Sequence, residues 1–275
     1  MTGLSSNYIT CHMIGRLGNQ MFQIANVYAQ SLRHNRQLVL PRNDTSVSDY
    51  FSTVHRKLDF ILDKSPDQSD AVHVIDGTYH HTDYVPHETK PTVFRGYYET
   101  EKYFLDYSSN IKWLFGPTPE FVNQAITDYP QLKSGSSSAI IVRRGDFLTF
   151  PTRHPVVTID YISEAFKLLP PTSNVFIISD DIPWCRENIA LSGAIFVSYV
   201  TWKALWLASL CDHFVISNST FAWWGAYLSQ NPSKVVVTPS TWFGPDITVD
   251  TKDIRCPSWL TVPTKWGSDG FIHIK

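Results

Sequence analysis

Short apolar runs alternate with amphipathic stretches along most of the chain. In the C-terminal half, apolar runs bounded by polar or turn residues predict buried strands. These runs are residues 138–142, 174–179, 194–197, 214–217 and 234–238. Between them, apolar residues recur at helical spacing, as from Tyr161 to Leu169. Strands that alternate with helices in this way predict parallel sheets covered on both faces, so the predicted fold class is α/β.

The N-terminal half opens with the same pattern. Residues 8–14 predict a strand, Gly15 and Gly18 a turn, and the apolar spacing of residues 21–32 a helix before a further strand. A glycine turn before a helix presents backbone N–H groups and the positive end of the helix dipole, which suits a phosphate or a developing anion. A tight turn capped by Asn19 explains the same residues, so both interpretations stay open here.

The rest of the N-terminal half is less regular. Residues 43–90 are polar and interrupted by proline, which predicts loop-rich structure. A strand and then a helix follow, and this helix is predicted to begin near Thr100 and to continue to Phe115. Trp113 and Phe115 are expected to lie in the core.

A change of composition near the middle of the chain marks a domain boundary. Prolines precede the sequence SGSSS at residues 134–138, which is typical of a linker. We therefore predict two Rossmann-like domains that face each other across a cleft, residues 1–133 and residues 134–275.

Composition narrows the function classes. The net charge is −2 and charged residues make up 17% of the chain, so no broad basic surface favours nucleic acid as a partner. No apolar stretch approaches the length of a transmembrane helix, and the first residues lack the pattern of a signal peptide, so a cytoplasmic location is expected. The 4 cysteines are too far apart in sequence for a metal knuckle or a small disulfide framework.

The sequence IIVRRGDF at residues 140–147 carries the main candidate chemistry. Its apolar run predicts a buried strand that delivers Arg143 and Arg144 to a strand end, where open α/β sheets bind ligands. Two adjacent guanidinium groups favour an anionic partner, either phosphates of a ligand or carboxylates of the fold. The alternative is that Arg144 and Asp146 pair only with each other or with neighbouring side chains.

Two further strand ends carry polar candidates. Asp180 and Asp181 follow the strand at residues 174–179, where they could bind a metal that carries a diphosphate, cap the next helix or bind a ribose. The cap or the ribose contact is favoured because no second carboxylate motif lies nearby. Ser219 and Thr220 lie between a strand and a helix, a position that suits either a helix cap or phosphate oxygens.

Five motifs occur together along the chain, in the order GRLGNQMFQIA, GYYETEKYF, VRRGDF, SDDIPWCRENI and NSTFAWWGAYL. In this order and with this spacing they resemble the inverting α-1,2-fucosyltransferase family, over residues 8–243. The resemblance implies a GT-B glycosyltransferase fold with two Rossmann-like domains. It also implies that the C-terminal domain holds a nucleotide-sugar donor, GDP-fucose, that an oligosaccharide acceptor approaches from the N-terminal domain, and that no metal or other cofactor is obligatory.

The resemblance further implies roles for individual residues. Arg143 would hold the β-phosphate of the donor and act in catalysis, with Arg144 and Asp146 organising its loop. The remaining residues implied to contact the donor are Gly15, Arg16, Gly18, Asn19, Gln20, Asp180, Asp181, Ser219 and Thr220. Asn19 is also a catalytic candidate in this scheme.

The sequence does not reveal a catalytic base. Such a base must lie within hydrogen-bond reach of the acceptor hydroxyl. Four carboxylates lie in the acceptor half, namely Glu101, Asp49, Asp83 and Glu99, and each is expected to be a cap or surface carboxylate rather than the base. Glu101 and Asp83 are kept as the candidates among them.

Two positions depart from the family pattern. Ile141 stands where family members usually carry histidine, and Ala204 where they usually carry aspartate, and these two polar residues hold the guanine base in related fucosyltransferases. Their loss permits a different donor, such as UDP-xylose or another UDP-sugar, or a guanine held by backbone groups. A non-catalytic glycan- or nucleotide-binding protein is the alternative of another class, and the retention of Asn19, Arg143 and Arg144 argues against it.

Overall fold

The computed structural model describes residues 5–41, 50–58, 61–62 and 67–275. The chain forms two compact units: unit 1 comprises Met1–Phe115 and Val249–Cys256, and unit 2 comprises Gly116–Thr248 and Pro257–Lys275. The first change of unit thus follows Phe115, whereas the sequence analysis places the boundary after residue 133. The difference has a packing cause, since Phe121 in the intervening segment lies against Trp206 of unit 2, with ring centroids 5.1 Å apart.

The described residues of unit 1 form one long helix, one short helix and five short strands. In chain order they are β1 Ile9–Cys11, α1 Leu17–Arg33, β2 Leu40–Pro41, β3 Ile61–Leu62, β4 Val72–Ile75, β5 Thr92–Arg95 and α2 Ser108–Phe115. The strands form a parallel sheet in the order β1-β5-β4 and a parallel pair β2-β3. A bridge between Ile9 and Leu38 brings the chain that leads into β2 against β1.

The start of α1 differs in detail from the predicted turn. Gly15 adopts a positive φ of 76°, and the following residue, Arg16, is the N-cap of α1. Asn19 therefore lies inside the first turn of the helix, and the prediction that it caps α1 is wrong. The helix ends at Arg33, and its apolar face is buried because it covers the sheet.

The predicted helix from Thr100 to Phe115 is divided. Thr100 caps a single 3₁₀ turn, Glu101–Tyr103, and a second 3₁₀ turn, Leu105–Tyr107, precedes α2. Phe115 is fully buried as predicted, but Trp113 is 61% exposed, so its placement in the core is wrong. Trp113 lies on the outer face of α2, where the ammonium of Lys57 stacks 4.6 Å from its ring centroid.

Unit 2 is built on a larger sheet. Its helices are α3 Pro119–Asp128, α4 Ile159–Lys167, α5 Ile182–Asn188, α6 Thr201–Ala208 and α7 Thr220–Tyr227. Its strands are β6 Ser137–Val142, β7 Val156–Val157, β8 Asn174–Ser179, β9 Ile195–Phe196, β10 His213–Ile216, β11 Val236–Pro239, β12 Leu260–Val262, β13 Thr264–Trp266 and β14 Phe271–Ile274. Further 3₁₀ turns are Pro130–Lys133 and Gly145–Leu148.

The main sheet of unit 2 has six parallel strands in the order β12-β11-β10-β6-β8-β9. The smaller sheet β13-β14-β7 lies outside it. The central strand β6 is buried along its whole length, as its apolar run predicts. On one face, Tyr161 of α4 is inaccessible and its hydroxyl donates to the carbonyl oxygen of Ile216 at 2.7 Å. The parallel sheets confirm the α/β prediction, and in unit 2 they bring the carboxyl ends of β8, β6 and β10 side by side.

Candidate functional site

Three neighbouring strand ends supply the polar side chains of the site in unit 2. β6 ends before Arg143, β8 before Asp180, and β10 before Ser217. Because these strands are parallel neighbours, the residues that follow them meet at one sheet edge. The backbone N–H of Arg143 donates to the hydroxyl of Ser217 at 3.2 Å, and this bond joins the end of β6 to the end of β10.

Two carboxylates hold the guanidinium of Arg143. One of its terminal nitrogens lies 2.8 Å from Oδ2 of Asp180, and the other pairs with Oδ1 of Asp146. The guanidinium carbon also lies 5.6 Å from the ring centroid of Phe147. The Arg143 side chain remains 21% exposed, so the group is fixed but still accessible to a ligand.

Arg144 has a different environment. Its guanidinium stacks 3.6 Å from the ring centroid of Trp184, and its Nε donates to Oδ2 of Asp181 at 3.1 Å. Its backbone N–H donates to Oδ1 of Asp180 at 2.9 Å. Since Arg144 is only 7% exposed, it anchors the loop after β6 rather than facing solvent. The other Asp181 oxygen accepts from the N–H of Trp184 at 3.2 Å, which is the helix cap considered from the sequence.

A cavity of about 230 Å³ lies at this sheet edge, inside unit 2. Its polar lining residues are Arg143, Ser179, Asp180, Tyr199, Thr201 and Ser219. Its apolar lining residues are Ile141, Val142, Ile178, Val200, Ala204 and Phe221. The structure thus brings Arg143, Asp180 and Ser219 to one cavity, together with both positions that depart from the family pattern. Arg144, Asp146, Asp181 and Thr220 surround this region without lining the cavity.

Ser219 lies where its hydroxyl can serve a ligand. It is the N-cap residue of α7, yet its hydroxyl makes no capping bond to the described backbone of that helix. The preceding Asn218 secures the turn instead, because its amide donates to the carbonyl oxygens of Pro155 at 3.0 Å and Trp242 at 2.8 Å. Thr220 is the first residue of α7.

The N-terminal candidates form one turn in unit 1. Gly15 and Arg16 are exposed, and Gly18 and Gln20 are buried. The side-chain amide of Gln20 donates to the carbonyl oxygen of Gly15 at 3.3 Å, which closes the turn. Asn19 is half-buried and donates from Nδ2 to Oε1 of Glu99 at 2.8 Å. The predicted contact of this turn with a diphosphate stays a prediction.

Glu99 is the residue that sequence reasoning misjudged. It was expected to be a cap or surface carboxylate, but it is 4% exposed. Burial raises the pKa of Glu99 to about 8, and the weaker opposing effect is the hydrogen bond from Asn19. Its neighbours Tyr98 and Thr100 are buried too, so the aromatic motif GYYETEKYF was the available signal that this carboxylate is enclosed.

The candidate bases are placed less favourably for proton transfer. The Asp83 side chain is 96% exposed, and its Oδ1 lies 3.7 Å from Nε2 of His81. Glu101 begins a 3₁₀ turn and is half-buried, while its neighbour Lys102 pairs with Asp253 at 2.6 Å. Asp49 lies outside the described residues. The assignment of a base among Glu101 and Asp83 stays a prediction.

The described residues hold neither a cluster of metal ligands nor a helix suited to spanning a membrane. Across residues 5–41, 50–58, 61–62 and 67–275, no three histidine, cysteine or acidic side chains converge as metal ligands would. None of the helices described in those ranges is both long and apolar enough to cross a membrane. Among the described residues, Cys11, Cys185, Cys211 and Cys256 are buried and form no disulfide.

Comparisons with known proteins agree with the sequence motifs. The family model described as Glycosyl transferase family 11 matches residues 1–262. The alpha-1,2-colitosyltransferase of Escherichia coli is 25% identical over 273 residues, covering 86% of this chain and 92% of that protein. The galactoside alpha-(1,2)-fucosyltransferase 1 of Saimiri boliviensis boliviensis is 26% identical over 241 residues, covering 80% of this chain and 65% of that protein.

Solved structures show the same fold. The structure of NodZ alpha-1,6-fucosyltransferase soaked with GDP-fucose matches with a TM-score of 0.51 and 13% identity, covering 81% of this chain and 92% of that chain. Fucosyltransferase NodZ from Bradyrhizobium matches with a TM-score of 0.51 and 12% identity, covering 81% and 93%. The predicted α/β GT-B fold class is confirmed. The chain therefore belongs to glycosyl transferase family 11, the α-1,2-fucosyltransferase family that its motifs resemble, and it is a glycosyltransferase.

Proposed function

We propose that the protein transfers a sugar from a nucleotide-diphosphate donor to a glycan hydroxyl, with inversion at the transferred carbon and without an obligatory metal. GDP-fucose is the proposed donor, since relatives are named as fucosyl- and colitosyltransferases. A galactoside is the acceptor class suggested by the name of one of these relatives. The observation that carries the proposal is the fixed, accessible guanidinium of Arg143, which lines the unit 2 cavity.

The chemistry needs a cation at this position. As the bond between sugar and diphosphate breaks, negative charge grows on the departing phosphate, and a guanidinium aimed there stabilises the transition state more than the ground state. Asp146 and Asp180 hold Arg143 in place beforehand, so little reorganisation is needed during the reaction. Ser219 and the N-terminus of α7 add hydrogen-bond donors that suit phosphate oxygens.

Two positions of the cavity support a second candidate donor. Ile141 and Ala204 both line it, and neither side chain can make a polar contact with a purine or pyrimidine base. At these two positions a wrong base leaves no polar group unpaired, so the discrimination between bases that a histidine and an aspartate would supply there is lost. A UDP-sugar such as UDP-xylose is therefore the alternative donor for the same reaction.

Calorimetric titration with GDP and UDP tests the donor. We expect GDP to bind more tightly than UDP, by less than about a hundredfold, because no charged side chain from positions 141 and 204 recognises the base. Ala204→Asp is expected to widen this preference, since a carboxylate can accept two hydrogen bonds from guanine and not from uracil. Ala204→Asn is the uncharged control. A wild-type preference for UDP would reject GDP-fucose as the donor.

Turnover separates an enzyme from a binding protein. With GDP-fucose as donor and lactose as a simple galactoside, we expect release of GDP and formation of an α-linked fucosyl product, which proton NMR of the anomeric position identifies. An inert binding protein would release neither GDP nor free fucose. Undiminished transfer in the presence of a metal chelator is expected, and loss of transfer that a divalent cation restores would contradict metal independence.

Gly145→Ala is expected to lower kcat by roughly tenfold. A Cβ at this position would overlap Oδ2 of Asp180, whose carboxylate is held by Arg143 and by the backbone N–H of Arg144. The displaced carboxylate would release Arg143 from its fixed position. Gly77→Ala is the matched control, because a Cβ there meets no atom of the described structure within 4 Å. Steady-state kinetics gives kcat for Gly145→Ala and Gly77→Ala. Equal kcat values would show that Asp180 does not position Arg143.

A further inference from the structure

Glu99 in unit 1 is a buried carboxyl group that the proposed chemistry does not yet use. It lies between Tyr98 and Thr100, which are 1% exposed. The hydroxyl of Tyr98 contacts the carbonyl oxygens of Val74 and Arg95, each at 3.3 Å, so this segment is fixed against the sheet of unit 1. A side chain on a segment that is fixed in this way can keep a neighbouring side chain in one position.

The neighbour that Glu99 holds is Asn19. Oε1 of Glu99 accepts from Nδ2 of Asn19 at 2.8 Å, while Oε2 of Glu99 is buried and has no hydrogen-bond partner among the described residues. On its other side Asn19 lies against Gly15, where a Cβ would come within 3.0 Å of Cγ and Oδ1 of Asn19. The Asn19 amide is therefore confined between the turn at Gly15 and the carboxyl group of Glu99.

The charge state of Glu99 is compatible with accepting a hydrogen bond from an amide. Because burial raises its pKa to about 8, most Glu99 side chains are neutral carboxylic acids at neutral pH. The charged groups next along the chain or flanking the turn at α1 are Glu101, Lys102 and Arg16, and Lys102 pairs with Asp253. Glu99 is 4% exposed and already accepts from the Asn19 amide, so its geometry places it to fix that amide.

We propose that Glu99 is a positioning residue of the glycosyl transfer, which holds the Asn19 amide so that its Oδ1, beside Gly15, accepts a hydrogen bond from a sugar hydroxyl. A carbonyl oxygen accepts from a hydroxyl and repels a phosphate oxygen. Asn19 is thus assigned to a sugar, in place of the diphosphate contact expected from the sequence. This inference rests on the proposed function, because it supposes that a sugar hydroxyl approaches the turn.

A double-mutant cycle with GDP-fucose and lactose tests the inference. Glu99→Gln keeps the accepting oxygen and is expected to retain kcat within about threefold, whereas Glu99→Met is expected to lose about tenfold or more. The KM for GDP-fucose is expected to change little, since Arg143 in unit 2 is the proposed diphosphate contact. The double variant with Asn19→Ala and Glu99→Met is expected to lose no more kcat than Asn19→Ala alone. Both substitutions disrupt the same hydrogen-bonded pair, so their effects do not add. Glu99→Asp, whose shorter side chain cannot reach Asn19, gives the same test if Glu99→Met does not fold.

A second measurement needs no substrate. The side-chain amide resonance of Asn19, identified by its loss in Asn19→Ala, is followed by ¹⁵N NMR as the pH is raised. We expect it to shift with a midpoint near the Glu99 pKa of about 8 in the wild type and to show no such midpoint in Glu99→Gln. Any of three results would overturn the inference. These are additive kcat losses in the double-mutant cycle, a wild-type kcat in folded Glu99→Met, and an unchanged midpoint in Glu99→Gln. If the wild type transfers no sugar, the proposed function fails, and the resonance still decides whether Glu99 holds Asn19.

Discussion

Arg143→Ala is expected to lower kcat for sugar transfer by at least about a hundredfold, the loss typical when one preorganised donor to a developing anion is removed. The side chain lines the cavity and is held at 2.8 Å from Asp180. Its removal leaves the departing diphosphate without its cation and takes from Asp146 and Asp180 the guanidinium that they share, beside the phosphates. The expected change in kcat thus combines a lost attraction with a new repulsion.

The arginine controls separate catalysis from folding. Arg186→Ala removes an exposed arginine of α5 from the same unit and is expected to leave kcat unchanged. Arg143→Lys keeps the charge but lacks the planar fork that pairs with two carboxylates, and we expect an intermediate kcat. Steady-state kinetics with GDP-fucose and thermal unfolding are measured on all three variants. Near-normal kcat in folded Arg143→Ala would remove this residue from the reaction.

The sequence predicted the location of Arg143 well, for a local reason. A short apolar run with alternating elements on either side predicts a central parallel strand, and the charged residues after it must emerge at the carboxyl edge of the sheet. β6 confirms this, since its six residues are buried and Arg143 follows directly. The same argument placed Asp180 after β8 and Ser219 after β10, and the structure brings them to one cavity.

The sequence could not predict which of two adjacent arginines faces the cavity. That depends on contacts distant in the chain, because Trp184 and Asp181 from the start of α5 enclose Arg144. The partner of Glu99 was missed for the same physical reason, since Asn19 of α1, which donates to it, lies far away in the sequence. The residue at which a helix begins was also hard to predict from the sequence. Gly15 has a positive φ, α1 begins at Leu17, and Asn19 therefore lies inside the helix.

Arg144→Ala is expected to act on stability, with a loss of about 3 kcal/mol in the free energy of unfolding. The side chain is buried, stacks at 3.6 Å on Trp184 and pairs with Asp181 at 3.1 Å. Its removal leaves a cavity beside the indole and a carboxylate without its partner, and both effects destabilise the folded unit. Urea unfolding followed by tryptophan fluorescence measures the loss.

Arg144→Lys distinguishes the two contributions. The lysine retains a charge for Asp181 but cannot stack flat on Trp184, so we expect it to recover only part of the lost stability. Nucleotide affinity is expected to fall less in folded Arg144→Ala than in Arg143→Ala, because Arg144 anchors the loop and does not line the cavity. The opposite result, unchanged stability with nucleotide binding abolished, would place Arg144 on the diphosphate and show that the loop after β6 rearranges when the donor binds.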